Sequence, residues 1–221
     1  MKIKLVVATR ASEEDFFSKT ATGRSLSFNK PPFLEIRLFP ENTLGLSAVY
    51  NQAIRESTDP NVTFVFAHDD LLILDFWWYD RVKEGLANFE ILGVAGNRSR
   101  IPMQPGWNFL QEDPKNVSGI VGVGEEFPPT YLAVFGTPKQ KVLLLDGLFL
   151  AIEATTLHKN NLMFDERFEF HFYDIDFCRQ AEIKGVSCGT WDISLIHQST
   201  GDFNSESWKS SFQKYLKKYG D

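Results

Sequence analysis

Apolar and polar positions alternate along the chain in a way that divides it into segments of strand and helix length. Runs of consecutive apolar, often β-branched residues predict buried strands, whereas apolar residues spaced three or four apart predict helices that pack through one face. The predicted strands are 3–8, 36–39, 62–67, 91–95, 141–145 and 148–152, with a further extended stretch over 187–196. The predicted helices are 44–57, 76–88, 154–160, 174–184 and 205–219.

This alternation of strands and helices predicts an α/β fold with a mainly parallel central sheet. Such sheets bind their ligands at the carboxyl ends of the strands. The 221 residues are enough for one large domain, so we expect a single domain over 1–221. Residues 97–130 are rich in Gly, Pro, Asn and acids without a clear period, and we expect a long loop there that acts as a lid.

Charge and hydropathy exclude several classes of protein. The formal net charge is -6 and the basic residues are scattered, which argues against a nucleic-acid-binding surface. The first apolar run is too short for a signal peptide, and no stretch approaches the roughly 18 apolar residues of a membrane span. We therefore expect a soluble, cytoplasmic protein whose cysteines, Cys178 and Cys188, are buried thiols rather than a disulfide.

Polar residues follow the third predicted strand directly, as His68, Asp69 and Asp70. Adjacent carboxylates repel each other unless a cation or solvent intervenes. Mg²⁺ and Mn²⁺ are commonly held by one or two carboxylates together with substrate phosphates, which suits Asp70 supported by Asp69. On a strand, His68 and Asp70 share a face and Asp69 points away. The alternative is that these acids cap the following helix or simply make a polar strand end.

A second acidic pair, Asp174 and Asp176, lies where an aromatic run passes into a predicted helix. One aspartate of the pair is explained if Asp174 caps the helix. The flanking aromatic residues favour a further role, because they can desolvate a carboxylate enough to make it a usable base. His197 ends another extended run; a lone histidine is usually structural, but its place at a strand end makes it a candidate metal ligand.

Five segments, taken together and in this order, resemble the inverting glycosyltransferases of family 2, which have the GT-A fold, and most closely the short bacterial members. The resemblance extends from Val6 to about Trp208. The segments that bear it are VVATR, ENTLGLSAVYNQAI, FVFAHDD, VLLLDGLFLAI and FHFYDIDFCRQAEIKG. The third is similar to the strand that leads to the metal-binding DxD motif, and the last to an E-D-x-D-L-x-x-R-x-x-x-x-G element.

The resemblance implies a role for each matching residue. It implies that Asp70 and His197 bind a divalent metal, Mn²⁺ or Mg²⁺, that holds the donor diphosphate. It places Thr9, Arg10, His68 and Asp69 at the nucleotide or sugar of the donor. It makes Asp174 the base that deprotonates the acceptor hydroxyl, with Asp176 and Arg179 in supporting positions. Asp146, in VLLLDGLFLAI, lies on the acceptor side, and we expect Trp107 to stack on an acceptor sugar.

Two positions depart from the family pattern. The first residue of the acidic triplet is His68, which alters the expected contacts to the ribose, and the usual Glu before the base is Tyr173. The second departure leaves Asp176 as an alternative base.

We therefore expect an inverting, metal-dependent transfer of a sugar from a nucleotide-diphosphate donor to a glycan or lipid-linked acceptor, in surface-polysaccharide synthesis. A lipid-linked acceptor would bring peripheral membrane contact. Two alternatives remain. One is a sugar nucleotidyltransferase, although residues 9–24 lack the expected Gly-rich, basic phosphate loop. The other is a nucleotide-sugar or glycan binding module without catalysis.

Overall fold

The computed structural model describes residues 2–109, 114–199 and 201–220. Thirteen strands and seven helices lie in these ranges. The strands are β1 (Lys2–Ala8), β2 (Leu34–Phe39), β3 (Val62–Ala67), β4 (Leu71–Ile73), β5 (Ile91–Gly93), β6 (Ala95–Asn97), β7 (Val117–Val123), β8 (Tyr131–Gly136), β9 (Lys141–Val142), β10 (Leu144–Leu145), β11 (Phe149–Glu153), β12 (Cys188–Thr190) and β13 (Leu195–His197). The helices are α1 (Glu13–Lys19), α2 (Ala21–Phe28), α3 (Leu46–Glu56), α4 (Trp78–Leu86), α5 (Ala154–Lys159), α6 (Tyr173–Ile183) and α7 (Glu206–Tyr219).

The central sheet has seven strands in the order β2-β1-β3-β11-β5-β12-β9. It is mixed, which corrects the prediction of a mainly parallel sheet. β1 runs parallel to β2 and β3, and β5 runs parallel to β12, but β11 is antiparallel to both of its neighbours. The reason is local: the chain enters β11 at the edge where β3 ends, so β11 runs back along β3 from Phe149 opposite Ala67.

A second sheet, in the order β10-β6-β7-β13-β4 with β8 paired to β7, continues from the same edge. Part of the predicted lid belongs to it, because β7 pairs with β8 in an antiparallel hairpin. The expected long loop is therefore partly regular structure, and its residues 110–113 lie outside the described part of the chain.

Most predicted segments appear with shifted ends. The third predicted strand is found as β3, fully buried over all six residues, as its unbroken apolar run indicates. The extended stretch over 187–196 is two short strands, β12 and β13, and the second includes His197. The polar segment that follows β1 forms α1 and α2, which the apolar pattern did not indicate.

Aromatic side chains fill the core between the central sheet and the helices on its faces. Phe164 stacks on Phe177 at 4.2 Å between ring centroids and meets Phe66 edge-on at 5.1 Å. Each fully buried Phe contributes about 1.5–3 kcal/mol through removal of apolar surface from water. This packing fixes α6 against β3 and so determines where the start of α6 points. Both cysteines are free and buried, and no helix within the described ranges combines the length and apolar character needed to span a bilayer.

Candidate functional site

The site lies where several strands end together. Parallel pairing of β1 with β3 brings the residues after both strands, including Thr9 and His68, to one edge. The backbone N–H of His68 donates to the carbonyl of Leu148 at 3.0 Å, so the Asp146-Gly147 turn before β11 lies beside it. β13 pairs antiparallel with β4 and sets His197 opposite Leu71, the residue after Asp70.

A cavity of about 1310 Å³ opens along this edge. It is large enough for a nucleotide sugar and part of a second substrate. Nine of the ten predicted site residues line it: Thr9, Arg10, His68, Asp69, Asp70, Trp107, Asp146, Asp174 and His197. The structure thus brings together residues that are as much as 188 positions apart between Thr9 and His197.

Three of these residues form a cluster suited to a metal ion. One potential ligand atom from each of His68, Asp70 and His197 lies within 4.8 Å of the others. His197 Nε2 is 3.3 Å from Asp70 Oδ2, and His68 Nδ1 is 3.9 Å from Asp70 Oδ1. Among the described residues, Asp70 Oδ1 and His197 Nε2 are buried without a hydrogen-bond partner. Buried polar atoms are rarely left unpaired, so the donor set fits a divalent cation.

Electrostatics of the cluster agree with this fit. Burial opposes ionisation of Asp70, but nearby His197 outweighs it and lowers the pKa of the carboxyl below its usual value. Burial lowers the pKa of His68 to about 4, so this imidazole is neutral at pH 7. For His197 the nearby Asp70 carboxylate outweighs burial and raises the pKa. The cluster therefore keeps a negative charge on Asp70 at neutral pH.

Asp69 points away from the cluster, as strand alternation predicts. Its Oδ2 accepts a hydrogen bond of 2.6 Å from the Thr9 hydroxyl. Burial, together with the neighbouring charge of Asp70, raises the pKa of Asp69. Arg10 is exposed at the rim of the same part of the cavity, where a guanidinium is free to meet a phosphate or a base.

Asp174 lies on the first turn of α6 and faces the cavity. Phe172, immediately before the helix, has a left-handed backbone with φ 68°, an unusual conformation for a residue with a side chain. Asp174 Oδ2 accepts from the backbone N–H of Gly147 at 3.0 Å, and its Oδ1 accepts from the N–H of Ile175 at 2.8 Å. Burial, aided by the charge of nearby Asp146, raises the pKa of Asp174 to about 7. A carboxylate with this pKa is suited to act as a general base near neutral pH.

Asp146 lies in the same wall of the cavity. Its Oδ1 accepts from the backbone N–H of Leu148 at 3.2 Å, which closes the turn before β11. Burial raises the pKa of Asp146. The residue is therefore placed to shape the turn and to influence Asp174 through its charge.

Asp176 is the one predicted site residue outside the cavity. It is fully buried, and its Oδ1 accepts from Lys218 Nζ at 2.6 Å and from the Tyr219 hydroxyl at 2.8 Å. Gln180 donates to its other oxygen at 2.7 Å. These contacts anchor α7 to α6, and they leave Asp174 as the carboxylate of this pair that meets the cavity.

Trp107 lines the cavity but offers little surface to a ligand. It is only 8% exposed and packs edge-on against Phe135 at 4.9 Å between centroids. Three other aromatic residues on the cavity wall are far more open: Tyr131 is 54% exposed, Phe170 53% and Phe203 50%. The sequence reasoning missed them, because an aromatic residue in a strand or loop gives no signal of which side faces a cavity.

Tyr173 and Gly147 are two further site residues, to which the sequence analysis assigned no contact in the site. The Tyr173 hydroxyl donates to the carbonyl of Gly147 at 2.8 Å and lies 2.8 Å from His68 Nε2. A side chain at position 147 would collide with it, because an added Cβ would stand 2.3 Å from the Tyr173 hydroxyl oxygen. The departure at Tyr173 was visible in the sequence, but its contact with His68 was not.

Comparison with known proteins supports the fold. No protein-family model matches the chain, and no curated protein matches its sequence. Among solved structures, S. aureus TarS is similar with a TM-score of 0.53 and 14% identity, over 90% of this chain and 37% of TarS. A second structure, TarS 1-349 in complex with UDP, gives a TM-score of 0.53 and 12% identity, over 90% of this chain and 61% of that one.

A197 from STIV is also similar, with a TM-score of 0.50 and 12% identity over 93% of this chain and 98% of that one. The chain therefore spans little more than a third of the longer TarS structure and about three fifths of the shorter one. At these identities the likeness establishes the architecture alone. The chain has a mixed α/β fold of the GT-A type.

Proposed function

We propose that this protein is an inverting glycosyltransferase that moves a sugar from a nucleotide-diphosphate donor to a hydroxyl of a glycan or lipid-linked acceptor. One observation carries the proposal: the cluster of His68, Asp70 and His197, whose geometry suits a cation, and Asp174, a carboxylate with a pKa of about 7, line the same cavity. The TarS structure in complex with UDP supports a uridine nucleotide as the first donor to test.

The donor would lie between the ends of β1 and β3. Thr9 orients Asp69 towards the donor through its 2.6 Å hydrogen bond, and Arg10 at the rim offers charge to the phosphates. Asp70 and His197 would hold a divalent cation, Mn²⁺ or Mg²⁺, whose charge stabilises the diphosphate as it leaves.

Asp174 would act on the acceptor. As the acceptor oxygen attacks the anomeric carbon, its proton passes to the Asp174 carboxylate, and the electron pair of the breaking bond leaves with the diphosphate. The N–H groups of Gly147 and Ile175 hold both carboxylate oxygens and thereby fix the orientation of the base. A single in-line displacement inverts the anomeric centre. The exposed rings of Tyr131, Phe170 and Phe203 would present flat apolar faces to the acceptor.

The two buried free thiols suit a reducing compartment, so we place this activity in the cytoplasm. The rival function, a nucleotide-sugar binding module, shares the cavity but needs no base. The pKa of Asp174 favours the enzyme, because a binding module gains nothing from a carboxylate that titrates near neutral pH.

Asp174→Asn separates the two functions. We expect it to bind UDP with Mn²⁺ as the wild type does, in a thermal-shift titration, and to lose about 10²–10⁴-fold in transfer rate because the base is gone. Transfer and donor hydrolysis are followed by release of UDP from UDP-glucose and UDP-N-acetylglucosamine, with and without Mn²⁺ and an oligosaccharide acceptor panel. Asp192→Asn, at an exposed position outside the cavity, is the matched control.

Unchanged turnover in Asp174→Asn would reject Asp174 as the base. UDP binding without release of UDP from any donor tested would favour the binding module.

A further inference from the structure

We propose that His68 is a third protein ligand of the cation, through Nδ1, so that two imidazole nitrogens and one carboxylate select a transition metal ion over Mg²⁺. The inference rests on the proposed function, which places a divalent cation at Asp70 and His197. It assigns to His68 a role different from the donor contact that the resemblance implies.

The protonation of His68 follows from its hydrogen bonds. The Tyr173 hydroxyl has one proton, which it donates to the carbonyl of Gly147 at 2.8 Å. His68 Nε2 lies 2.8 Å from the same hydroxyl oxygen, so the proton in that contact must come from Nε2. The imidazole therefore has its hydrogen on Nε2, and in the neutral ring Nδ1 presents a lone pair.

That lone pair faces an unpaired carboxylate oxygen. His68 Nδ1 is 3.9 Å from Asp70 Oδ1, which is too far for a hydrogen bond. Asp70 Oδ1 is buried and has no hydrogen-bond partner among the described residues. A lone pair and a carboxylate that face each other across this distance repel, and a shared cation removes the repulsion. His197 Nε2, equally without a partner there and 3.3 Å from Asp70 Oδ2, completes the three ligand atoms.

Tyr173 is a positioning residue for this ligand. Histidine ligands commonly donate their second ring N–H to a neighbouring group, which fixes the tautomer and the ring orientation. The His68–Tyr173–Gly147 chain of hydrogen bonds has that arrangement and lies in the wall of the cavity. His68 and Tyr173 are the two positions that depart from the pattern of the glycosyltransferases that the sequence resembles. They are in direct contact, so a histidine at 68 and a tyrosine at 173 form one hydrogen-bonded pair.

The chemistry of the three ligand atoms narrows the choice of metal ion. Mg²⁺ strongly prefers oxygen ligands in octahedral geometry. Imidazole nitrogen favours the later first-row transition metal ions, and its affinity rises from Mn²⁺ to Co²⁺. With two nitrogens and one carboxylate, we expect Mn²⁺ and Co²⁺ to bind more tightly than Mg²⁺.

The first experiment measures cation binding alone, by calorimetric titration of Mn²⁺, Co²⁺ and Mg²⁺ into nucleotide-free protein. His68→Ala is expected to weaken Mn²⁺ binding by roughly 10–100-fold and Tyr173→Phe by about 10-fold, the range seen when metal ligands or their supporting groups are lost. Mg²⁺ affinity should change less, because it gains little from nitrogen. His158→Ala, at an exposed histidine on α5, is the control, and thermal unfolding checks that each variant is folded.

The second experiment uses the wild-type chain and does not depend on a variant. Pulsed electron paramagnetic resonance of bound Mn²⁺ should show coupling to two imidazole nitrogens, and to one in His68→Ala. Long-range ¹H–¹⁵N correlation spectra of the metal-free protein should show His68 with its proton on Nε2.

Unchanged Mn²⁺ affinity in His68→Ala together with coupling to a single nitrogen in the wild type would overturn the inference and leave the proposed function intact. A proton on Nδ1 would overturn it as well. If none of the three cations binds the wild type, the inference is overturned and the cation is removed from the proposed function. The role of Asp174 is tested separately by Asp174→Asn.

Discussion

Asp174 should make the free energy of unfolding fall as the pH rises, and Asp174→Asn should remove that part of the dependence. The folded chain holds the pKa of this carboxyl at about 7, whereas its ordinary value is 3.8. Below pH 3.8 the group is protonated in both the folded and the unfolded chain, so its contribution to stability is fully present. Above that pH the unfolded chain releases the proton first, and stability is lost until the pH passes about 7.

The size of this loss of stability follows from the difference between the pKa values of Asp174 in the folded and the unfolded chain. Each pH unit between the two pKa values changes the free energy of unfolding by up to about 1.4 kcal/mol. Between pH 5 and pH 7 the wild type should therefore lose about 2 kcal/mol relative to Asp174→Asn, an upper value because the half-buried side chain keeps some contact with solvent. The absolute difference at one pH is less informative, because asparagine has one acceptor oxygen for the two backbone N–H groups that Asp174 satisfies.

The assay is urea denaturation of both proteins at several pH values between 4 and 9, in the presence of a chelator so that no cation shifts the equilibrium. Comparing the two pH profiles cancels the contribution of the titrating groups that do not interact with Asp174. Parallel profiles across this range would refute the raised pKa of Asp174. The transfer rate should move in the opposite direction and rise through a midpoint near pH 7, because only the ionised carboxylate accepts a proton.

Two further predictions concern packing around the site. Lys218→Met should lower the free energy of unfolding by about 3 kcal/mol, because it leaves the fully buried Asp176 carboxylate without the Lys218 ammonium. The control is Lys217→Met at the exposed neighbouring position, which should change the free energy of unfolding by less than about 0.5 kcal/mol in urea denaturation. Equal effects of the two substitutions would contradict the role of Lys218 as the partner of Asp176. Gly147→Ala should destabilise the chain by about 1–3 kcal/mol, because its Cβ would stand 2.3 Å from a tyrosine hydroxyl. It should also reduce transfer, whereas Gly106→Ala, whose Cβ meets nothing closer than 3.4 Å, should leave thermal unfolding near wild type.

The amino-acid pattern was sufficient for the elements that are buried on both faces. In β3 every residue is apolar or small enough to be buried, so a strand with a polar end at His68 followed directly from the sequence. The same reasoning predicts that Arg10 and Asp70, which follow the first and third strands, lie on one edge, because parallel strands align their carboxyl ends. These are local or near-periodic properties, and they need no knowledge of distant contacts.

The pattern was insufficient where long-range pairing decides the outcome. The direction of β11 depends on the turn at Asp146 beside β3, and no local signal reports which neighbour a strand will choose. Asp174 and Asp176 are two residues apart, and the sequence favoured Asp174 as the base but left Asp176 as an alternative. Lys218, 42 positions away, engages Asp176.

The sequence by itself thus determined the buried strands such as β3 and the polar residues that follow them, because burial of an apolar run is a local requirement. Only the tertiary structure decided which of those polar groups meet. His68 and Tyr173 are separated by 105 positions and are joined by a hydrogen bond of 2.8 Å. Such contacts depend on how the sheets and α6 pack, and that packing is a property of the whole chain rather than of any segment.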